Sequence, residues 1–223
     1  MTEPFIFHDL GQIPYGEALA MQQEAFGALL ASKARGEAGD SVLFFCEHRP
    51  VFTLGKSGRM ANLLVSEARL KAQGFDFYRT DRGGDITYHG PGQITGYPVF
   101  DLETFHIGLR QYVERMEDVM IRFLALYGLR GGRLAGAAGV WLEPHTARAR
   151  KICAVGVKSS RFVTMHGFAL NIRTELQHFS LINPCGFADR GVTSLRRELG
   201  CEVDFEEAKR RLRALFAEAF SLR

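Results

Sequence analysis

The sequence predicts an α+β fold in which a mixed or antiparallel sheet is flanked by helices, and three observations carry that expectation. Two long segments, 107–127 and 204–220, place apolar residues at helical spacing. Between the helical segments lie clusters of short β-branched and aromatic runs, not a strict alternation of strand and helix. No repeat, linker or low-complexity stretch divides the chain, so residues 1–223 are expected to form one domain.

The elements follow in order. Leu19, Phe26, Leu29 and Leu30 share a helical face within 14–33, and the polar, Gly-rich 36–40 ends it. SVLFFCE (41–47) and VFTL (51–54) read as buried strands interrupted by His48-Arg49-Pro50. A short helix is expected over 66–73, stopped by Gly74, and the strand-like FDFYRT follows. Segment 82–102, RGGDITYHGPGQITGYPVFDL, is a Gly-rich stretch, and its first part, 82–93, reads as a binding loop. The cleanest helix spans 107–127, with Leu109, Tyr112, Val113, Met116, Val119, Met120, Phe123, Leu124 and Tyr127 as one apolar stripe. GVWLE, KICAVGV and FVTMHGFALNI read as strands, with polar EPHTARAR (143–150) between the first two. In the last helix Phe205, Ala208, Leu212, Leu215, Phe216 and Phe220 share a face, and Asp204 is its expected N-cap.

Composition removes several classes of function. The chain has 223 residues, 46% of them hydrophobic and 24% charged, which suits a globular domain that needs no disulfide staples. The four cysteines lack CxxC spacing, so reduced thiols in a cytoplasmic protein are expected. The N-terminal MTEPFIFHDLGQ has no basic n-region followed by an apolar core, and no run is long enough to cross a bilayer. A net charge of +3, with arginines dispersed, argues against a nucleic-acid binder. Of the 28 basic residues 22 are Arg and six are Lys, and Arg does not give up its proton in a protein. A basic side chain that changes protonation state is therefore one of Lys33, Lys56, Lys71, Lys151, Lys158 and Lys209, or a His.

Four constellations can carry chemistry. Five glycines between Gly83 and Gly96, beside Arg82, Tyr88 and His89, allow close backbone approach to a ligand, although the pattern matches neither GxxxxGK[ST] nor GxGxxG. Cys185 sits in Ile182-Asn183-Pro184-Cys185-Gly186, where flanking Pro and Gly present a thiol from an irregular turn, making it the candidate nucleophile. Cys46 and Cys153 lie inside apolar strands as small hydrophobes. Lys151 opens the strand 151–157; a nearby ammonium lowers a thiol's pKa, so Cys185 and Lys151 form a candidate dyad. Small residues at 154, 156, 167 and 169 leave a slot between neighbouring strands, wide enough for an unbranched acyl chain. Alternation places Lys151 on the face opposite Ala154 and Gly156, so Lys151 serves that slot only if a bulge intervenes. His166 reads either as a satisfied core histidine or as an orienting group.

RGGDITYHGPGQITGYPVFDL, KICAVGV, HGFALNI and INPCG followed by GVTSL occur in an order that resembles the lipoate-biosynthesis octanoyltransferases, and EHRPVFTLGK is similar to that family's EHPPVYTLGR-like segment. The resemblance runs from about residue 5 to 200. It implies a fold like the catalytic domain of biotin and lipoate protein ligases. It also implies transfer of an octanoyl group from octanoyl-acyl carrier protein to a lysine of lipoyl domains, those of 2-oxoacid dehydrogenases and the glycine cleavage H protein. The family's thioester-forming cysteine falls on Cys185 and its pKa-lowering lysine on Lys151. Its acyl-binding segments fall on Arg82, Gly83, Gly84, Asp85, Ile86, Thr87, Tyr88 and His89; on Ala154, Val155 and Gly156; and on Gly167, Phe168 and Ala169. Arg49 stands where the family usually has Pro, and the 143–150 loop is lengthened.

The expected reaction is ping-pong acyl transfer by a monomer in the cytoplasm, with no cofactor, metal, nucleic acid or membrane. Exchange between thioesters is near balance and thioester to amide is downhill, so no ATP is required. The alternative is an ATP-dependent lipoate or biotin protein ligase of the same fold. Such ligases carry GRGRRG-like or RRxSGGGAV-like loops, and RGGDITYH is neither.

Overall fold

The computed structural model describes residues 4–183 and 191–221. Its main sheet runs β1 (Ile6–Ile13), β2 (Val42–His48), β6 (Gln93–Val99), β10 (Val163–Asn171), β9 (Arg150–Ser160), β8 (Ala137–Leu142) and β7 (Gly131–Leu134), with the short β11 (Gly191–Val192) beside β9. The β1–β2 and β9–β11 pairs are parallel and the others antiparallel, which makes the sheet mixed as expected. A second sheet has the order β4 (Asp76–Arg79), β3 (Val51–Leu54), β5 (Ile86–His89). The two runs separated by His48-Arg49-Pro50 therefore belong to different sheets. So do β5 and β6, with Gly90-Pro91-Gly92 making the passage; Gly92 has a φ of +79°.

Each face of the main sheet has its own cover. α3 (Leu109–Ala125) and α5 (Phe205–Ala219) bury their stripes against one face, where Met116, Phe123, Leu212 and Phe216 meet Phe45, Phe168 and Leu170. α1 (Tyr15–Ala34) covers part of the other through Ala18, Phe26 and Leu29, against Phe44, Tyr97 and Met165. Leu109 departs from the expected stripe: it begins α3 and is 42% exposed. The caps are those the sequence implies. The Asp204 side chain accepts from Glu207 N at 2.9 Å, Ser66 caps α2 (Glu67–Ala72) and Gly74 leaves it with a φ of +81°. α4 (Leu195–Leu199) ends on left-handed Gly200.

Candidate active site

A cavity of about 370 Å³ opens on the sheet face that α1 leaves partly bare. Its floor follows from register. Gln93, Thr95 and Tyr97 point the same way along β6, and Asn171 pairs with Gln93 and Ala169 with Thr95. One strand further, Ala154 pairs with Ala169 and Gly156 with Gly167. Small side chains on the central strands thus leave a trough between them. The expected substrate-binding residues all border the cavity except Gly83 and Tyr88.

Those two exceptions have structural duties. Gly83 donates its N–H to Val157 O at 2.8 Å, laying the Gly-rich loop on β9. Tyr88 is fully buried in the core of the small sheet, and its hydroxyl lies 2.8 Å from His178 Nδ1. Its aromatic bulk is core, which corrects the expectation that it faces a ligand. The loop itself is fixed by Arg82, whose guanidinium donates to Thr53 O at 2.7 Å, to Thr53 Oγ1 at 2.9 Å and to Gly83 O at 3.0 Å. A Cβ on Gly156 would lie 2.7 Å from Gly83 O, so the loop rests directly on the small-residue strand.

Lys151 reaches the cavity through a bulge. Val140 pairs with Cys153 but Trp141 pairs with Lys151, leaving Ile152 as the extra residue. That single offset turns Lys151 onto the face of Ala154 and Gly156, which strict alternation denies it. Its Nζ donates to Ala138 O at 3.2 Å and lies 4.8 Å from the Trp141 ring centroid. Val192 of β11 pairs with Lys151, so the chain that follows residue 190 enters the described structure at this lysine. On the other side, Asn183 N donates to Asn62 O at 2.8 Å. Cys185 lies between these anchors in sequence and outside the described residues.

A hydrogen-bonded chain crosses the site, and backbone carbonyls fix its direction. Gln93 Nε2 donates to Tyr88 O and to Asn171 Oδ1, leaving Gln93 Oε1 to accept from His89 Nδ1 at 2.9 Å. Asn171 Nδ2 donates to Thr193 O, and Thr193 N to Lys151 O at 2.9 Å. His89 Nε2 is then an acceptor for the Thr53 hydroxyl. Burial, the neighbouring His48 and the Arg82 charge hold His89 well below the usual histidine range. His48 is likewise neutral: burial lowers it from 6.5 to about 4. It donates from Nδ1 to Ile13 O and accepts the Tyr97 hydroxyl at 2.6 Å.

His166 is a contact that periodicity does not disclose. Its φ is +59°, and its ring meets Asp81 Oδ1 at 2.8 Å, while Nδ1 has no partner among the described residues. Gln93, Thr95, Tyr97 and Asn171 also went unassigned in the sequence, although Gln, Thr and Tyr at 93, 95 and 97 carry a two-residue period. Cys46 and Cys153 are buried and burial raises both thiols, in keeping with packing roles. No helix among the described residues is long and apolar enough to cross a membrane.

The fold is shared with the catalytic domains of lipoate-type ligases. A bipartite lipoate protein ligase of Thermoplasma acidophilum superimposes with a TM-score of 0.71 over 100% of this chain and 86% of that one, at 16% identity, which establishes the shared fold. The lipoyl protein ligase A/B catalytic domain matches residues 14–217. Among proteins of that class, an octanoyltransferase of Parabacteroides distasonis is 63% identical over 220 residues, 98% of this chain and 100% of that protein. An octanoyltransferase of Bacteroides fragilis is 54% identical over 210 residues, 94% of this chain and 95% of that one. The chain belongs to the octanoyltransferases of the lipoyl protein ligase A/B family.

Proposed function

We propose that this acyltransferase moves an octanoyl group from an acyl-carrier thioester to the ε-amine of a lysine on a lipoyl domain, by way of a thioester on Cys185. In the first half-reaction the Cys185 thiolate attacks the carbonyl carbon, the new C–S bond forms, the C–S bond to the carrier breaks, and the departing carrier thiolate takes a proton from the Lys151 ammonium, leaving Lys151 as the neutral amine. In the second, the acceptor amine attacks the acyl-Cys185 carbonyl, the C–N bond forms and the C–S bond to Cys185 breaks. The proton shed by the amine passes to Lys151 as the neutral amine. The acceptors under this reading are the lipoyl domains of 2-oxoacid dehydrogenases and the glycine cleavage H protein, met by a cytoplasmic monomer.

One observation carries the reading beyond family membership. The Ile152 bulge puts Lys151 on the trough face, at the strand that begins directly after the Cys185 segment. A lysine there can lower the pKa of a thiol delivered by that segment, and the trough beside it receives an unbranched acyl chain. The ATP-dependent ligase reading rests on the fold shared with the Thermoplasma ligase. Octanoyl-carrier protein and a lipoyl domain, incubated with the chain after apyrase treatment, separate the two. Octanoylation of one acceptor lysine without ATP is expected. Modification that needs free octanoate and ATP would establish the ligase instead.

A further inference from the structure

The segment that builds the small lobe carries an excess of positive charge. Residues 49–79 hold six of the 28 basic and two of the 25 acidic residues, so this stretch carries +4 while the remainder of the chain sums to −1. Nearly all of it belongs to the lobe built on the small sheet and α2. Arg79 pairs with Glu67. Arg49, Lys56, Arg59, Arg69 and Lys71 are exposed and make no ion pair with any described residue.

The cations on β7, on the 143–150 loop and at the start of β9 are arranged differently. Arg133 meets Glu117 and Asp118, Arg148 meets Glu143, and Arg150 meets Glu198. Cations there are neutralised locally, whereas those of the small lobe project an uncompensated field into solvent. The lobe is also joined to the site. Gly55 N donates to Asp85 O, Lys56 N to Arg82 O at 2.9 Å and Ser57 N to Gly84 O, and all three acceptors belong to cavity-lining residues. Lys56 and Arg59 therefore stand on a loop stitched to the cavity rim.

We infer that this lobe, centred on Lys56 and Arg59, is the docking surface for an acidic carrier domain that delivers the acyl thioester. The inference rests on the proposed transfer reaction and adds the face on which the donor lands. Unpaired rim cations act chiefly on encounter, so they speed association while leaving the bound acyl group to the cavity. A donor held on this lobe passes its acyl group over the Arg82–Asp85 loop into the trough.

The test compares wild type with Lys56→Glu/Arg59→Glu and the milder Lys56→Gln/Arg59→Gln, using octanoyl-carrier protein and, separately, octanoyl-pantetheine, a small donor with no protein surface. For the carrier we expect KM to rise about tenfold in the Glu variant, less in the Gln variant, and the wild-type salt dependence to flatten. Transfer from octanoyl-pantetheine and the KM for the lipoyl domain stay unchanged. Equal carrier KM values in all three proteins, equal losses with both donors, or a shift confined to the lipoyl-domain KM would overturn the docking assignment. Carrier binding by fluorescence anisotropy needs no turnover. Binding weakened in the variants, together with a wild type that transfers nothing, would sink the transfer reading and leave the docking surface standing; binding equal in all three would remove the surface alone.

Discussion

Lys151 stands directly opposite Trp141 across the β8–β9 pair, its Nζ 4.8 Å from the indole centroid, because Ile152 is bulged out of the ladder. Ile152 is itself fully buried in the core. The core thus holds the bulge, and the bulge turns the lysine.

If the ammonium of Lys151 tunes the Cys185 thiol, removing it slows the thiol. Lys151→Ala should lower the rate of alkylation of Cys185 by iodoacetamide near pH 7 by about tenfold, the effect of a one-unit rise in thiol pKa. Peptide mapping after a timed pulse measures it, and an unchanged rate contradicts the dyad.

The trough depends on residues with no side chain. Gly156→Ala places a methyl 2.7 Å from Gly83 O and narrows the space below Arg82. We expect kcat/KM for octanoyl transfer to fall tenfold or more, since one misplaced methyl group is worth about 1–3 kcal/mol in a fitted apolar slot. Comparing donors of six, eight and ten carbons reads this directly; an equal kcat/KM for the variant and wild type would rule it out.

His48 makes stability depend on pH. Its folded value of about 4 lies below its ordinary 6.5, so as pH falls through that interval the unfolded chain takes up a proton that the native state refuses. The stability it contributes is complete above about 6.5, declines between 6.5 and 4, and falls no further below 4. The loss amounts to about 3 kcal/mol. Urea unfolding from pH 7.5 to 4 should show this slope, and His48→Gln should make it shallower by that amount.

Gln93 links His89 to Asn171 in the crossing chain. Gln93→Leu leaves the buried His89 Nδ1–H and Asn171 Oδ1 without their partners. Each unpaired buried group costs about 1–3 kcal/mol. Chemical denaturation should report a loss within that range or above it, and a loss below 1 kcal/mol would mean that water replaces the amide.

Much of this architecture was legible because it follows from period. α1, α3 and α5 bury stripes that repeat every three or four residues, and β2, β3, β8 and β10 are rich in β-branched or aromatic side chains. β1 is not legible, because an edge strand with most side chains turned to water has no apolar period to read. β7 is Gly131-Gly132-Arg133-Leu134, which has too few side chains to carry a strand period, and β6 lies within a Gly-rich stretch although it is buried throughout. Of the site, the residue types were legible and their directions less so. Lys151 faces the trough through a bulge, His166 meets Asp81 from a left-handed backbone, and Tyr88 turns into the small core. Each depends on a local break in alternation or on a second sheet, neither of which a period of two encodes.

The central claim is that Cys185 carries the acyl group between donor and acceptor. Intact-mass measurement of the chain incubated with octanoyl-carrier protein, with no acceptor present, tests it most directly. The account predicts one octanoyl adduct on the wild type, removed by hydroxylamine as a thioester is, and none on Cys185→Ser. An adduct of the same size and hydroxylamine sensitivity that persists in Cys185→Ser would contradict it.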